Sequence, residues 1–221
     1  MNLTPVQSRV VGCLIEKEMA TPDNYPLTMN ALLAACNQTS NRNPVLKLDE
    51  ATVDSALQNL RATNVVRIVY SRSNRADKFR HVLDEMLALE PADLAILSVL
   101  MLRGPQTAGE LRTRTERLHP FTSQDEVDET LRRLAGRNEP LVARLERRPG
   151  QKESRWAHLL GGDLAEVLAA GDDEDEAPAD GSRPARVDRV AALEDAVAAL
   201  RGDLERLEAA HRDLVARLGE E

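Results

Sequence analysis

The sequence predicts an α+β protein, mainly helical with small β-hairpins, in which one structural unit is used twice and a helical extension follows. Three observations predict it. First, the chain repeats itself. LTPVQSRVVGCLI from Leu3 returns as LEPADLAILSVLM from Leu89 at an offset of 86, and PLTMNALL from Pro26 returns as PQTAGELR from Pro105 at an offset of 79. Val53, Leu57 and Leu60 return as Val127, Leu131 and Leu134, and NRADKFRH, ending at His81, returns as GQKESRWAH, ending at His158. Second, helix-start signals precede the apolar stripes. Third, the last part of the chain carries a heptad pattern.

Taken in order, Thr4, Pro5 and Gln7 supply an N-cap, a proline at the first helical position and a capping-box glutamine. The apolar run VVGCLI follows, with Cys13 as a small buried hydrophobe. A short second helix starts near Thr28. Asp49 caps a third helix, in which Val53, Leu57 and Leu60 form one apolar stripe. Val65–Tyr70 reads as a strand, SRSNRAD as a polar turn and DKFRH as the return strand. The second copy repeats this order. Thr107 with Glu110 and Ser123 with Glu126 have capping-box spacing. LVARL and ESRWAH flank the turn RRPGQ. Phe79 and His81, like Trp156 and His158, alternate along a strand and are expected on its core side. Each histidine is expected to be half-buried and bonded to backbone. No nucleophile, paired carboxylate or second histidine accompanies either at motif spacing.

Three helices followed by a hairpin make the winged-helix variant of helix-turn-helix, in which the third helix is the reader and the hairpin the wing. The expected organisation is two tandem winged-helix domains over 1–84 and 85–162, an acidic disordered linker over 163–186 and a coiled-coil helix over 187–221. Only LDEMLAL separates the two copies, so they are expected to pack together.

Charge separates body from tail. Residues 1–160 hold 22 Lys and Arg against 20 Asp and Glu, whereas residues 161–221 hold 7 against 17. GDDEDEAPADGSRPAR is acidic, holds two prolines and lacks large apolar residues, the composition of a disordered segment. The heptad beyond it puts Val190, Val197, Leu204, His211 and Leu218 at a, with Leu193, Leu200, Leu207 and Leu214 at d. That pattern favours a two-stranded coil and predicts a homodimer through residues 187–218. The N-terminus has charges spaced through it, and no apolar run approaches a membrane span. The expectation is a soluble, cytoplasmic protein without membrane attachment. Cys13 and Cys36 form no CxxC and sit beside no ligand set, so neither a disulfide framework nor a metal site is expected. No cofactor is expected either.

The segment CNQTSNRNPV, Cys36 to Val45, lies between the second and third helices, where the first copy has five residues more than the second. Its polar side chains suit an extended turn, with Arg42 pinning the loop to a carboxylate. Asn37, Gln38 and Arg42 are alternatively placed to contact a nucleic-acid backbone. In the third helix Ser55, Gln58 and Arg61 are candidate readers, with Thr52 beside them and Asp49, Glu50 and Asp54 opposing. The hairpins supply Arg72, Arg75 and Lys78 in the first copy, and Arg147, Arg148 and Lys152 in the second. The third helix of the second copy begins with Asp125, Glu126, Asp128 and Glu129, which repel phosphate. The reading is a non-enzymatic protein that binds double-stranded DNA, as a regulator would. The alternative is a protein-interaction adaptor that uses the same surfaces without DNA.

The motifs LTPVQSRVVGCLIEKEMATPDNYPLTMNALLAACNQTSNRNPV, RGPQTAGELRTRTERLHPF and GQKESRWAHLL strongly resemble the YceH-like family of bacterial proteins. The resemblance covers residues 1–160, with several long motifs in order. It implies a pair of winged-helix domains and says little about activity.

Overall fold

A computed structural model of the chain describes residues 1–70, 76–147 and 153–161. The chain divides into two compact units, Met1–Asp175 and Glu176–Glu221. The second unit, the linker expected over 163–186 and the coil expected over 187–221 lie outside the described residues. So do Arg72, Arg75, Arg148 and Lys152.

The described residues form an α+β body of seven α-helices and two small antiparallel sheets. Helix α1 spans Pro5–Ala20, and its capping box is complete: Gln7 N–H donates to Thr4 Oγ1 and Thr4 N–H donates to Gln7 Oε1. A 3-10 turn, Pro22–Asn24, leads to β1, Leu27–Thr28. Helix α2, Met29–Cys36, and α3, Glu50–Ala62, follow. Asp49 caps α3 as expected, accepting from Thr52 N–H at 2.7 Å. Strands β2, Val66–Val69, and β3, Lys78–His81, pair antiparallel, and β1 adds to the far edge of β3.

A short helix α4, Leu83–Leu87, joins the copies. The order then repeats with α5 at Pro91–Arg103, α6 at Ala108–Thr115, α7 at Gln124–Ala135, β4 at Val142–Arg144 and β5 at Trp156–His158. Thr107 and Glu110 close their capping box, but Ser123 makes only half of one, because the Glu126 carboxylate turns instead to Thr122.

The repeat holds at the level of single pairings. Leu27 faces Phe79 in the first sheet, and in the second copy the equivalent residues Gln106 and Trp156 form an isolated bridge. Strand β1, too short to show any period in the sequence, is thus reduced to one residue in the second copy. Val82 N–H donates to Val65 O in one copy and Leu159 N–H to Leu141 O in the other.

The two copies share one continuous core. Helix α1 is buried at every position from Ser8 to Ile15, and α5 at every position from Asp93 to Leu102. A helix apolar on all sides must be enclosed, and these two enclose each other. They meet at equivalent positions of the repeat, Gly12 and Ser98. Ser98 Oγ donates to Gly12 O at 3.1 Å. A Cβ at Gly12 would lie 3.0 Å from the Leu102 side chain and 3.1 Å from Met101 Cβ. Among the described residues no helix is long and apolar enough to cross a membrane.

The Gly12→Val variant is therefore expected to lose about 1–3 kcal/mol by overpacking the seam, despite the helix propensity it gains. Ser98→Ala, which removes one hydroxyl and leaves no carbonyl without its helical partner, is expected to lose only about 1 kcal/mol. Urea unfolding of the two variants measures the difference.

Candidate nucleic-acid interface

The loop Cys36–Val45 is held from both sides. Arg42 is buried, and its five N–H donors meet five acceptors. Nε donates to Ala35 O at 3.1 Å, and Nη1 to Glu16 Oε1 at 3.0 Å and Asn41 O at 2.8 Å. Nη2 donates to Glu16 Oε2 at 2.6 Å and Gln38 Oε1 at 2.8 Å. Arg9, buried in α1, donates to Cys36 O at 3.3 Å and Pro44 O at 2.6 Å. Asn37 accepts from Leu48 N–H and returns its amide to Leu48 O, closing the loop on itself. Asn43 N–H donates to Leu102 O at 2.8 Å, and Arg103 hydrogen-bonds Asn41, so the loop also grips the second copy.

This corrects the phosphate-contact reading of Arg42. A guanidinium with every donor engaged inside the protein has none for a phosphate. Gln38 Oε1 accepts from both Arg42 and Lys17, and Asn37 exchanges two hydrogen bonds with the Leu48 backbone, so both side chains are tied to the fold. The first reading, Arg42 as a pin to a carboxylate, is what the geometry contains. The partners Arg9 and Glu16 lie 27 and 26 residues from their contacts, beyond any local pattern. Cys36 is buried against Cys13. The hydrogen bond to Cys13 and burial push its thiol up, away from the thiolate that nucleophilic or metal chemistry needs. Among the described residues no three His, Cys, Asp or Glu side chains lie together to hold a metal ion.

Helix α3 carries the remaining candidates of the first copy. Val53, Ala56, Leu57 and Leu60 are buried. Ser55, Gln58 and Arg61 are all exposed, at the three-residue spacing that puts them along one side, and Thr52 and Asn59 are exposed too. Gln58 Nε2 donates to Asp54 Oδ2 at 2.6 Å, so one opposing acid is engaged. Lys78 is half-buried at the start of β3 and lines, with Lys17, Asn24 and Thr28, an open depression of about 490 Å3.

Strand arginines are less available than their number suggests. Glu85 of α4 pairs with Arg67 at 2.8 Å and also with Arg80, which offsets one of the two positive charges at the base of the first hairpin. Exposed pairs of this kind add little stability, but they do neutralise. In the second copy Arg144 and Arg147 are exposed. On α7, Asp125 and Glu129 are exposed, while Glu126 accepts from Thr122 N–H at 2.8 Å and is held below the usual carboxylate range by that bond.

The two aligned histidines differ. His81 is buried; Leu83 N–H donates to its Nδ1, which leaves the ring proton on Nε2, 2.5 Å from Glu18 Oε2. Its own N–H donates to Tyr25 Oη at 2.8 Å. In the second copy the position equivalent to Glu18 is Gly104. His158 Nδ1 is buried without a hydrogen-bond partner among the described residues, and burial lowers its pKa to about 4.

An α+β body built from one unit used twice, its copies joined through paired buried helices, is the class of protein these residues define. A family model described as "Protein of unknown function, DUF480" matches residues 3–151. A UPF0502 protein of Geobacter sulfurreducens is 53% identical over 90% of this chain and 90% of its own length. One of Pelobacter propionicus is 48% identical over 92% of each chain, and one of Opitutus terrae is 46% identical over 90% of this chain and 83% of its own. The chain belongs to this bacterial family.

Two predictions follow from the buried charges. Burial raises the Glu16 pKa, but the bonds and charge of Arg42 more than offset it and hold the carboxyl below its ordinary value. The contribution is present above the unfolded value of about 4.3 and is lost as pH falls through the folded one. Arg42→Ala, which strands the carboxylate and several carbonyls, is expected to cost about 3–5 kcal/mol at neutral pH. Denaturant midpoints measured from pH 7 to 3 check both statements. His158 acts at higher pH. Its folded pKa lies below the unfolded value of about 6.5, so the unfolded chain takes up the proton first and stability falls between pH 7 and about 4. His158→Gln is expected to flatten that part of the curve.

Proposed function

We propose that each copy is a winged helix, that the ligand is duplex DNA, and that residues 187–218 pair two chains, as in a homodimeric regulator. Both copies run helix, short strand or bridge, helix, helix, strand, strand, the order of that module. The observation that carries the DNA reading is the exposed side of α3. Thr52, Ser55, Gln58, Asn59 and Arg61 lie there in the open, while the opposite stripe is buried. Uncharged hydrogen-bonding side chains with one arginine suit base edges and phosphates. Arg147, with the sequence neighbours Arg148 and Lys152 and with Arg72, Arg75 and Lys78 in the first copy, adds the basic hairpins.

A second reading is favoured by one contrast. Helix α7 presents Asp125 and Glu129 where α3, at the equivalent positions of the repeat, presents Ala51 and Ser55. An acidic third helix suits a protein partner better than a duplex, and an adaptor role follows if DNA does not bind.

Fluorescence anisotropy against random duplex DNA tests the first reading. Affinity is expected to fall steeply with salt as counterions are released. Arg61→Ala is expected to cost about 1–3 kcal/mol. Replacing Arg72, Arg75, Arg147 and Arg148 with Glu is expected to abolish binding. Wild-type protein that leaves the probe free at low salt moves the assignment to the adaptor. Sedimentation of the full chain and of a chain ending at Gly171 tests the pairing. A dimer that becomes a monomer on truncation supports it, and a full-length monomer overturns it.

A further inference from the structure

The seam between the copies also holds a cleft of about 250 Å3. Lys17 and Arg103 line it from the ends of α1 and α5, and Arg114 and Arg117 from the end of α6 and just beyond. Val99 and Leu102 contribute apolar surface to its lining. The RTRTER segment that holds Arg114 and Arg117 takes no part in the interface described above.

The charges there do not balance. Glu16 is the carboxylate among the lining residues, and both its oxygens already accept from Arg42, with Lys17 Nζ 3.4 Å away. Glu110 reaches Arg114 at 3.2 Å from one side. Arg103 is half-buried and hydrogen-bonds Asn41. Burial lowers its pKa, and the charges of Arg114 and Arg42 lower it further, so like charges are gathered here rather than spread. Cations in the last turn of a helix also answer its dipole. Three helix ends, each equivalent to about half a negative charge, still leave a surplus against four cations, and Arg117 lies outside any helix.

We propose that this cleft binds a small polyanion carrying phosphate or carboxylate groups, seated so that it touches both copies. The volume lies just below the usual range of ligand sites, which excludes a dinucleotide and suits a compact metabolite. Guanidinium groups recognise phosphate and carboxylate by the same paired donors, so both ligand sources are kept in the test. The site stands independently of the DNA reading.

The test is calorimetry and thermal melting of the full chain, titrated at constant ionic strength with inorganic pyrophosphate and, separately, with succinate. The expected result is saturable binding of at least one anion, with a matching rise in melting temperature. Binding of one alone assigns the phosphate or the carboxylate class. Arg114→Glu with Arg117→Glu is expected to weaken the dissociation constant at least about tenfold, as for loss of charge-assisted contacts. Lys47→Glu with Arg132→Glu, exposed changes of equal charge at residues that do not line the cleft, is expected to leave it unchanged. If the glutamate pair does not fold, Arg114→Gln with Arg117→Gln carries the same expected loss. No saturable binding of either anion, or binding that survives the loss of Arg114 and Arg117, overturns the proposal.

Discussion

Everything in the body depends on α1 and α5 lying against each other. Each helix must satisfy two surfaces, its own copy's second and third helices on one side and its counterpart on the other. This is why the run from Ser8 to Ile15 and the run from Asp93 to Leu102 expose no side. Close approach needs a small residue in each helix, and Gly12 and Ser98 supply it at the same step of the repeat. Buried apolar area drives the contact, at about 25 cal/mol per Å2, and the serine hydroxyl sets its register.

The loop Cys36–Val45 is a product of that seam. Two arginines, one reaching out from α1 and one reaching back to it, fill the space between the end of α2 and the start of α3. The extra residues of the first copy extend across to Leu102 and Arg103. Buried charge is tolerated here because every donor of Arg42 is met, which is the condition under which an ion pair can leave water. The loop is therefore held as part of the fold, the first of the two readings its sequence allows, while the candidate side chains Ser55, Gln58 and Arg61 of α3 lie exposed.

How far this was legible varies with the range of the interaction. The helix starts at Thr4, Asp49 and Thr107, the stripes on α3 and α7, and both hairpins were readable because each rests on residues three or four apart or on strict alternation. The offsets of the repeat gave the equivalence of Phe79 with Trp156 and of His81 with His158; the structure buries Phe79 and His81 on β3, whereas on β5 Ala157 is the buried residue and Trp156 and His158 are half-buried. What escaped was long-range or too short to carry a period. Glu16 and Arg42, or Arg9 and Pro44, meet only after α2 has folded back on α1. Glu85 offsets one of the two charges of Arg67 and Arg80 from a helix of five residues. Strand β1 has two residues, and its counterpart in the second copy has one. The divergence of the histidines was visible in outline, since Gly104 stands where Glu18 stands, but its cost appears only once His158 is seen enclosed.

A residue that meets its own counterpart is the mark of an isologous contact, the kind that joins two identical subunits about a twofold axis. Here Gly12 and Ser98 make that contact within one chain. Two separate copies would associate only at sufficient concentration and would dissociate on dilution. Tethered by a few residues, they face each other at an effective concentration that dilution cannot change. The tether also removes the need for the halves to stay alike. One third helix can turn acidic and the other stay polar without either copy losing its partner, so a symmetric seam can support an asymmetric surface.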